Sequence, residues 1–313
     1  MTLQLLSLFF FVSTLSVCIV LGANNASACI GASAGTISVK YLVLATVSGL
    51  GVIIGWLVEG NKLSNAIYGG VLANQNDKAT AIILITTLIV MGAATAFKLP
   101  LSITQAMVGA AISMGLFLDI TTNWWFVILV LASWIVTPVV AAIISVGVYY
   151  MIKGGASRIG SIFQRGRMYA LLALAGSWYI GYALGANSVG MIGGIFQSTT
   201  DLALLSVIVP TATVVGIFAL GRGVTRTLSE KVLTLTGVAA VAVTIAAALT
   251  VELFTQVGVP VAITQAVTGG IIGIGQAKEI AIMNRRILLR IVLSWILAPV
   301  AGLVLAWVLA VAV

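Results

Sequence analysis

Apolar runs alternate with short polar or glycine-rich interruptions along the whole chain. Their lengths predict ten membrane segments, near residues 3–21, 40–58, 79–97, 101–118, 124–151, 168–184, 202–220, 232–254, 261–277 and 287–311. A helix of about 20 apolar residues spans the hydrocarbon core. The fourth and ninth segments are shorter and open at Pro100 and Pro260, so they are expected to be re-entrant or half-spanning. Two interruptions carry amides and hydroxyls where a helix is expected to run on. They are Gly22-Ala23-Asn24-Asn25-Ala26-Ser27 and, with its asparagine 163 positions later, Gly185-Ala186-Asn187-Ser188.

The interruptions belong to a longer internal repeat. Leu99-Pro100-Leu101-Ser102-Ile103-Thr104-Gln105-Ala106 returns 160 positions later as Val259-Pro260-Val261-Ala262-Ile263-Thr264-Gln265-Ala266. Ser133-Trp134-Ile135-Val136-Thr137-Pro138 returns 161 positions later as Ser294-Trp295-Ile296-Leu297-Ala298-Pro299. Three matches in one order indicate duplication. Five segments per half is an odd number, which inserts the second half upside down relative to the first. The expected architecture is an all-α integral membrane protein of two inverted-topology repeats, 1–152 and 168–313, joined by a basic cytoplasmic linker, 153–167. Broken or re-entrant helices surround a central site.

Composition agrees: 61% of the 313 residues are hydrophobic and 7% charged, and the mean hydropathy is +1.22, far beyond a soluble domain. With both termini outside, 13 of the 15 basic residues fall on the cytoplasmic side, and only Lys62 and Lys78 face out. That is the asymmetry that the positive-inside tendency requires of a multi-pass protein of the cell membrane. The net charge of +8 is then a fringe that meets lipid headgroups, and no nucleic-acid partner is needed. The first segment lacks the basic start of a signal peptide, so it is read as a retained span. Cys18 and Cys29 are read as packing residues in apolar surroundings.

A Gly-Ala-Asn interruption in each half, a Pro-x-Ser-x-Thr-Gln helix start and a late Ser-Trp-Ile-x-x-Pro segment together resemble the inorganic phosphate transporter family, the PiT or Pho4-type symporters. Leu220-Gly221-Arg222-Gly223-Val224-Thr225-Arg226-Thr227 and Pro260 through Gly275 are similar to that family's second half. The resemblance implies an inverted-repeat carrier, a homodimer, that moves inorganic phosphate with a coupling cation. The chain departs from the family at the residues associated with sodium: Asn25 and Ser188 stand where two aspartates are usual, and Ser48 where a glutamate is. Ser-Thr-Thr of the helix start becomes Ser102-Ile103-Thr104 and Ala262-Ile263-Thr264. Members resembling sulfate permeases also lack such acids, so a proton-coupled permease for sulfate or another small oxyanion stands as the alternative.

A tetrahedral oxyanion at mid-membrane needs many donors, because an unpaired charge there costs at least about 2.5–3.5 kcal/mol. Helix N-termini supply free N–H groups and about half a positive charge without a buried Arg or Lys. The expected substrate contacts are Asn24, Asn25, Ser27, Ser102, Thr104, Gln105, Asn187, Ser188, Thr264 and Gln265. The competing role for each is capping or interhelical glue. Moving one negative charge inward costs about 2.3 kcal/mol per 100 mV, so concentrative uptake calls for a coupling cation, sodium or proton. Candidates to bind it are Asn25, Ser188, Asp201 and Glu252; Glu59 lies at the end of the second span. No cofactor is implied. The chain has no histidine, and its seven acidic residues lie mainly at span ends. That composition speaks against an intramembrane enzyme. The duplicated half within one chain speaks against a channel closed by a ring of subunits.

Overall fold

A computed structural model describes residues 3–34, 39–97, 101–195, 202–221, 236–277 and 285–312. The helices are α1 (Leu3–Ala34), α2 (Tyr41–Glu59), a short α3 (Asn61–Ser64), α4 (Asp77–Ala96), α5 (Ile103–Phe117) and α6 (Trp124–Ser157). After them come α7 (Ile162–Leu184), a π-helical turn (Gly185–Val189), α8 (Gly190–Gly194), α9 (Leu202–Ala219), α10 (Gly237–Gln256), α11 (Ile263–Ala277) and α12 (Arg285–Ala312). Among the described residues seven helices are long and apolar enough to cross a membrane. α5 and α11 have 15 residues each, about 22 Å of helix, short of the ~30 Å core.

Local signals set the helix starts. Asn76, Ser102, Asn123 and Thr236 each accept a backbone N–H from the first turn, capping α4, α5, α6 and α10. Pro138, Pro210 and Pro299 lie inside α6, α9 and α12, which continue past them. The apolar sides of α6 and α12, with Ile135, Ile143, Leu293, Ile296 and Trp307, are exposed and suited to lipid, whereas α4 and α10 are the most enclosed spans.

The halves are interleaved. α2 packs along α7 while α1 packs along α9, and α5 packs along α12 while α11 packs along α6. Exchanging the halves turns each contact into its counterpart. Glycine makes these approaches. A β-carbon on Gly22 would lie 1.9 Å from the carbonyl oxygen of Thr213, and one on Gly185 2.1 Å from that of Val52. A β-carbon on Gly269 would likewise lie 2.2 Å from the carbonyl oxygen of Pro138.

The first polar interruption does not break its helix. α1 runs unbroken through Gly22–Ser27, and the second interruption stays helical as a wider π turn. The backbone therefore offers no free half-helix N-terminus at either place. Gly22 and Gly185 instead remove side chains where a helix of the other half crosses. Packing overrides the breaker composition because a helix satisfies its own backbone groups away from water. Pro100 lies outside the described residues.

Candidate functional site

The free helix starts are those of α5 and α11. Ser102 Oγ accepts the Gln105 backbone N–H at 3.4 Å, and the carbonyl of Ala262 accepts the N–H groups of Gln265 and Ala266 at 3.0 and 3.2 Å. The earliest amides of each helix have no acceptor within the helix. Ser102, Thr104, Gln105, Thr264 and Gln265 are all buried in these first turns.

Each helix start is held by the asparagine of its own half. Asn24 Nδ2 donates to the carbonyl oxygen of Leu101 at 3.1 Å. Asn187 Oδ1 accepts the backbone N–H of Val261 at 3.3 Å, while its Nδ2 donates to Thr255 Oγ1 at 2.9 Å. Leu101 and Val261 are repeat counterparts, so the two halves tie α1 to α5 and α7 to α11 at matching points. A buried carboxamide engaged on both sides positions a helix end, and so Asn187 acts first as a clamp.

The groups left without a protein partner are elsewhere. Among the described residues, both polar atoms of the buried Gln105 side chain, Oε1 of Gln265 and Oγ1 of Thr264 are enclosed and make no hydrogen bond. An unsatisfied buried polar group costs about 1–3 kcal/mol. Three such residues stand at two matching helix starts, and buried polar groups of this kind call for a partner. No Lys or Arg is among these residues, so donors there are neutral.

The other expected residues divide. Asn25 turns its amide back to the carbonyl of Leu21 on its own helix, 3.3 Å away. Ser188 is buried within the π turn. The Ser27 side chain and Asp201 lie outside the described residues. Glu252, a candidate for the coupling cation, is half-buried in a network with Gln256 and Glu59. Ser48 is fully buried beside Gly181, its hydroxyl unpartnered. Among the described residues no group of three or more Cys, Asp or Glu side chains stands ready to hold a metal ion.

Sequence reasoning passed over Thr255, the partner of Asn187. It also gave no role to two duplicated pairs of buried unpartnered groups, the hydroxyls of Thr14 and Ser177 and the indole N–H groups of Trp134 and Trp295. Their signal was present: the pairs stand 163 and 161 positions apart, the repeat's own offsets.

The phosphate transporter family model matches residues 21–169 and 156–306. "Putative phosphate permease MJ0630" of Methanocaldococcus jannaschii is 27% identical over 291 residues, 93% of this chain and 92% of that protein. Sulfate permease CysP of Bacillus subtilis is 22% identical over 313 residues, 97% of this chain and 85% of that protein. A solved structure titled the sodium-dependent phosphate transporter superposes with a TM-score of 0.82, covering 98% of this chain and 100% of that one at 19% identity. At that identity the likeness is one of fold.

Proposed function

Because the chain belongs to the phosphate transporter family, we propose that it carries inorganic phosphate across the cytoplasmic membrane as a cation-coupled secondary transporter. The halves act as inverted repeats, both termini outside and the basic linker cytoplasmic, and they present the site alternately to the two sides. The single observation that carries this reading is the duplicated helix start, clamped by Asn24 in one half and Asn187 in the other, with the Gln105 carboxamide, the Thr264 hydroxyl and Oε1 of Gln265 left without a hydrogen bond. Phosphate enters between these turns and takes up helix N-terminal amides, hydroxyls and carboxamides as donors.

The orphan acceptors favour phosphate over sulfate. Near neutral pH phosphate keeps at least one hydroxyl and can donate to the Oε1 atoms of Gln105 and Gln265, whereas sulfate only accepts. One observation favours the sulfate alternative: Asn25 and Ser188 leave both interruptions without the carboxylate that the family resemblance leads one to expect. The coupling ion, sodium or proton, then binds to neutral oxygens or at a span-end acid such as Glu252.

Uptake of labelled phosphate by purified protein in proteoliposomes, competed with sulfate across imposed sodium and proton gradients, decides among these readings. Saturable uptake with counterflow, resistant to excess sulfate, supports phosphate transport. Sulfate uptake blocked only weakly by phosphate supports the alternative.

A further inference from the structure

At the end of α2, Glu59 meets the last turn of α10, which belongs to the other half. Gln256 Nε2 donates to both carboxylate oxygens of Glu59, each at 3.1 Å, and to Glu252 one turn earlier on α10. From α3, Lys62 Nζ donates to Glu59 Oε1 at 2.9 Å and to the carboxamide oxygen of Gln256. Tyr179 and Tyr182 on α7 lie within electrostatic reach of both carboxylates. Four side chains from both halves thus form one network at one face of the membrane.

Among the described residues this network has no counterpart across the repeat. The positions corresponding to Glu59 and Glu252 are Leu220 and Gly92, which carry no ionisable group. The glycine crossings and clamped helix starts recur in both halves, as a scaffold shared by the repeats requires. A network confined to one half's register serves something that differs between the two faces.

Its position is next to the site. Gln256 directly follows Thr255, the acceptor for the Asn187 amide. Three residues beyond Thr255, Gly258 turns the chain at φ +72° toward Val261, whose N–H Asn187 holds. On the other side α3 lies against α8, with Gly190 and Gly194 pressed on the carbonyls of Gly60 and Ser64. Movement of the end of α10 away from α2 therefore pulls on Thr255 and on the Asn187 clamp.

We infer that Glu59, Lys62, Glu252 and Gln256 form a clasp between the halves, closed in this structure, which opens when the site is exposed to that face of the membrane. The inference rests on the carrier reading. A partly solvent-exposed ion pair suits the task, because it is weak enough to break and re-form during each cycle.

The test places Cys at Lys62 and Gln256, in a chain with Cys18 and Cys29 replaced by Ala, and joins them with a short, reducible bifunctional thiol reagent. Joining is expected to lower proteoliposome uptake of phosphate at least about tenfold, with recovery on reduction, while the joined protein in detergent binds labelled phosphate within about twofold of the unjoined one. Uptake unchanged by joining overturns the clasp. If the natural protein takes up neither phosphate nor sulfate, the carrier reading fails separately. The clasp is then judged by hydrogen exchange at 185–194 and 256–262, which joining must slow about tenfold if the network opens in the native protein. Equal exchange overturns it.

Discussion

A β-carbon on Gly109 would lie 2.2 Å from the carbonyl oxygen of Pro299, in the other half of the chain. The mirrored crossing, Gly269 on Pro138, has the same separation. The two most recognisable repeated motifs therefore interlock crosswise: the short helix of each half rests on the proline-bearing helix of the other. Neither half can bury its short helix alone.

Gly109→Ala or Gly269→Ala forces a methyl against backbone that cannot yield as a side chain could. Each is expected to destabilise the protein by about 1–3 kcal/mol or more, despite alanine's better helix propensity. Gly92→Ala, where a β-carbon meets nothing within 4 Å, is expected to be neutral or stabilising. Thermal unfolding in one detergent compares them, and equal midpoints for all three variants would remove the crossing argument.

Asn187→Ala leaves the buried N–H of Val261 without its acceptor, an expected loss of about 1–3 kcal/mol together with loss of uptake. Thr255→Val removes the acceptor of the Asn187 amide and the hydroxyl's own bond to the Val251 carbonyl but leaves the clamp on Val261, and should cost less, about 0.5–1.5 kcal/mol. Stability and uptake measured on the same preparations check this ordering. An Asn187→Ala protein of unchanged stability would contradict the clamp.

Gln265→Leu is expected to act with opposite signs on stability and binding. It removes an enclosed acceptor that has no partner, so the unliganded protein should be as stable or more so. Phosphate affinity should fall about tenfold, or ~1.4 kcal/mol, and sulfate affinity should change less. Titration of both anions by equilibrium binding tests it; parallel losses for both would argue against a role in discrimination.

Asn25→Asp combined with Ser188→Asp restores a carboxylate to each interruption. A buried carboxylate is tolerated when a cation accompanies it, so uptake and thermal stability of the double variant should become sodium-stimulated. Replacing sodium by choline provides the measurement. No sodium effect on either quantity would detach these positions from cation binding.

Much of the molecule is legible in its residues. Apolar run length located the helices because the bilayer admits little else, and the offsets of 163, 160 and 161 positions aligned the two halves. Ser102 was identified as a helix-start residue because its capping bond is local, spanning three residues. The tertiary structure decided what depends on contacts across the chain. It kept Gly22–Ser27 helical under α9, set Asn24 and Asn187 to hold helix starts, left the Gln105 carboxamide and Oε1 of Gln265 without a hydrogen bond, and carried Gln256 to Glu59 across 197 positions. A polar residue in an apolar run announces that it needs a partner, but whether that partner is backbone, side chain or ligand is settled only when distant helices pack.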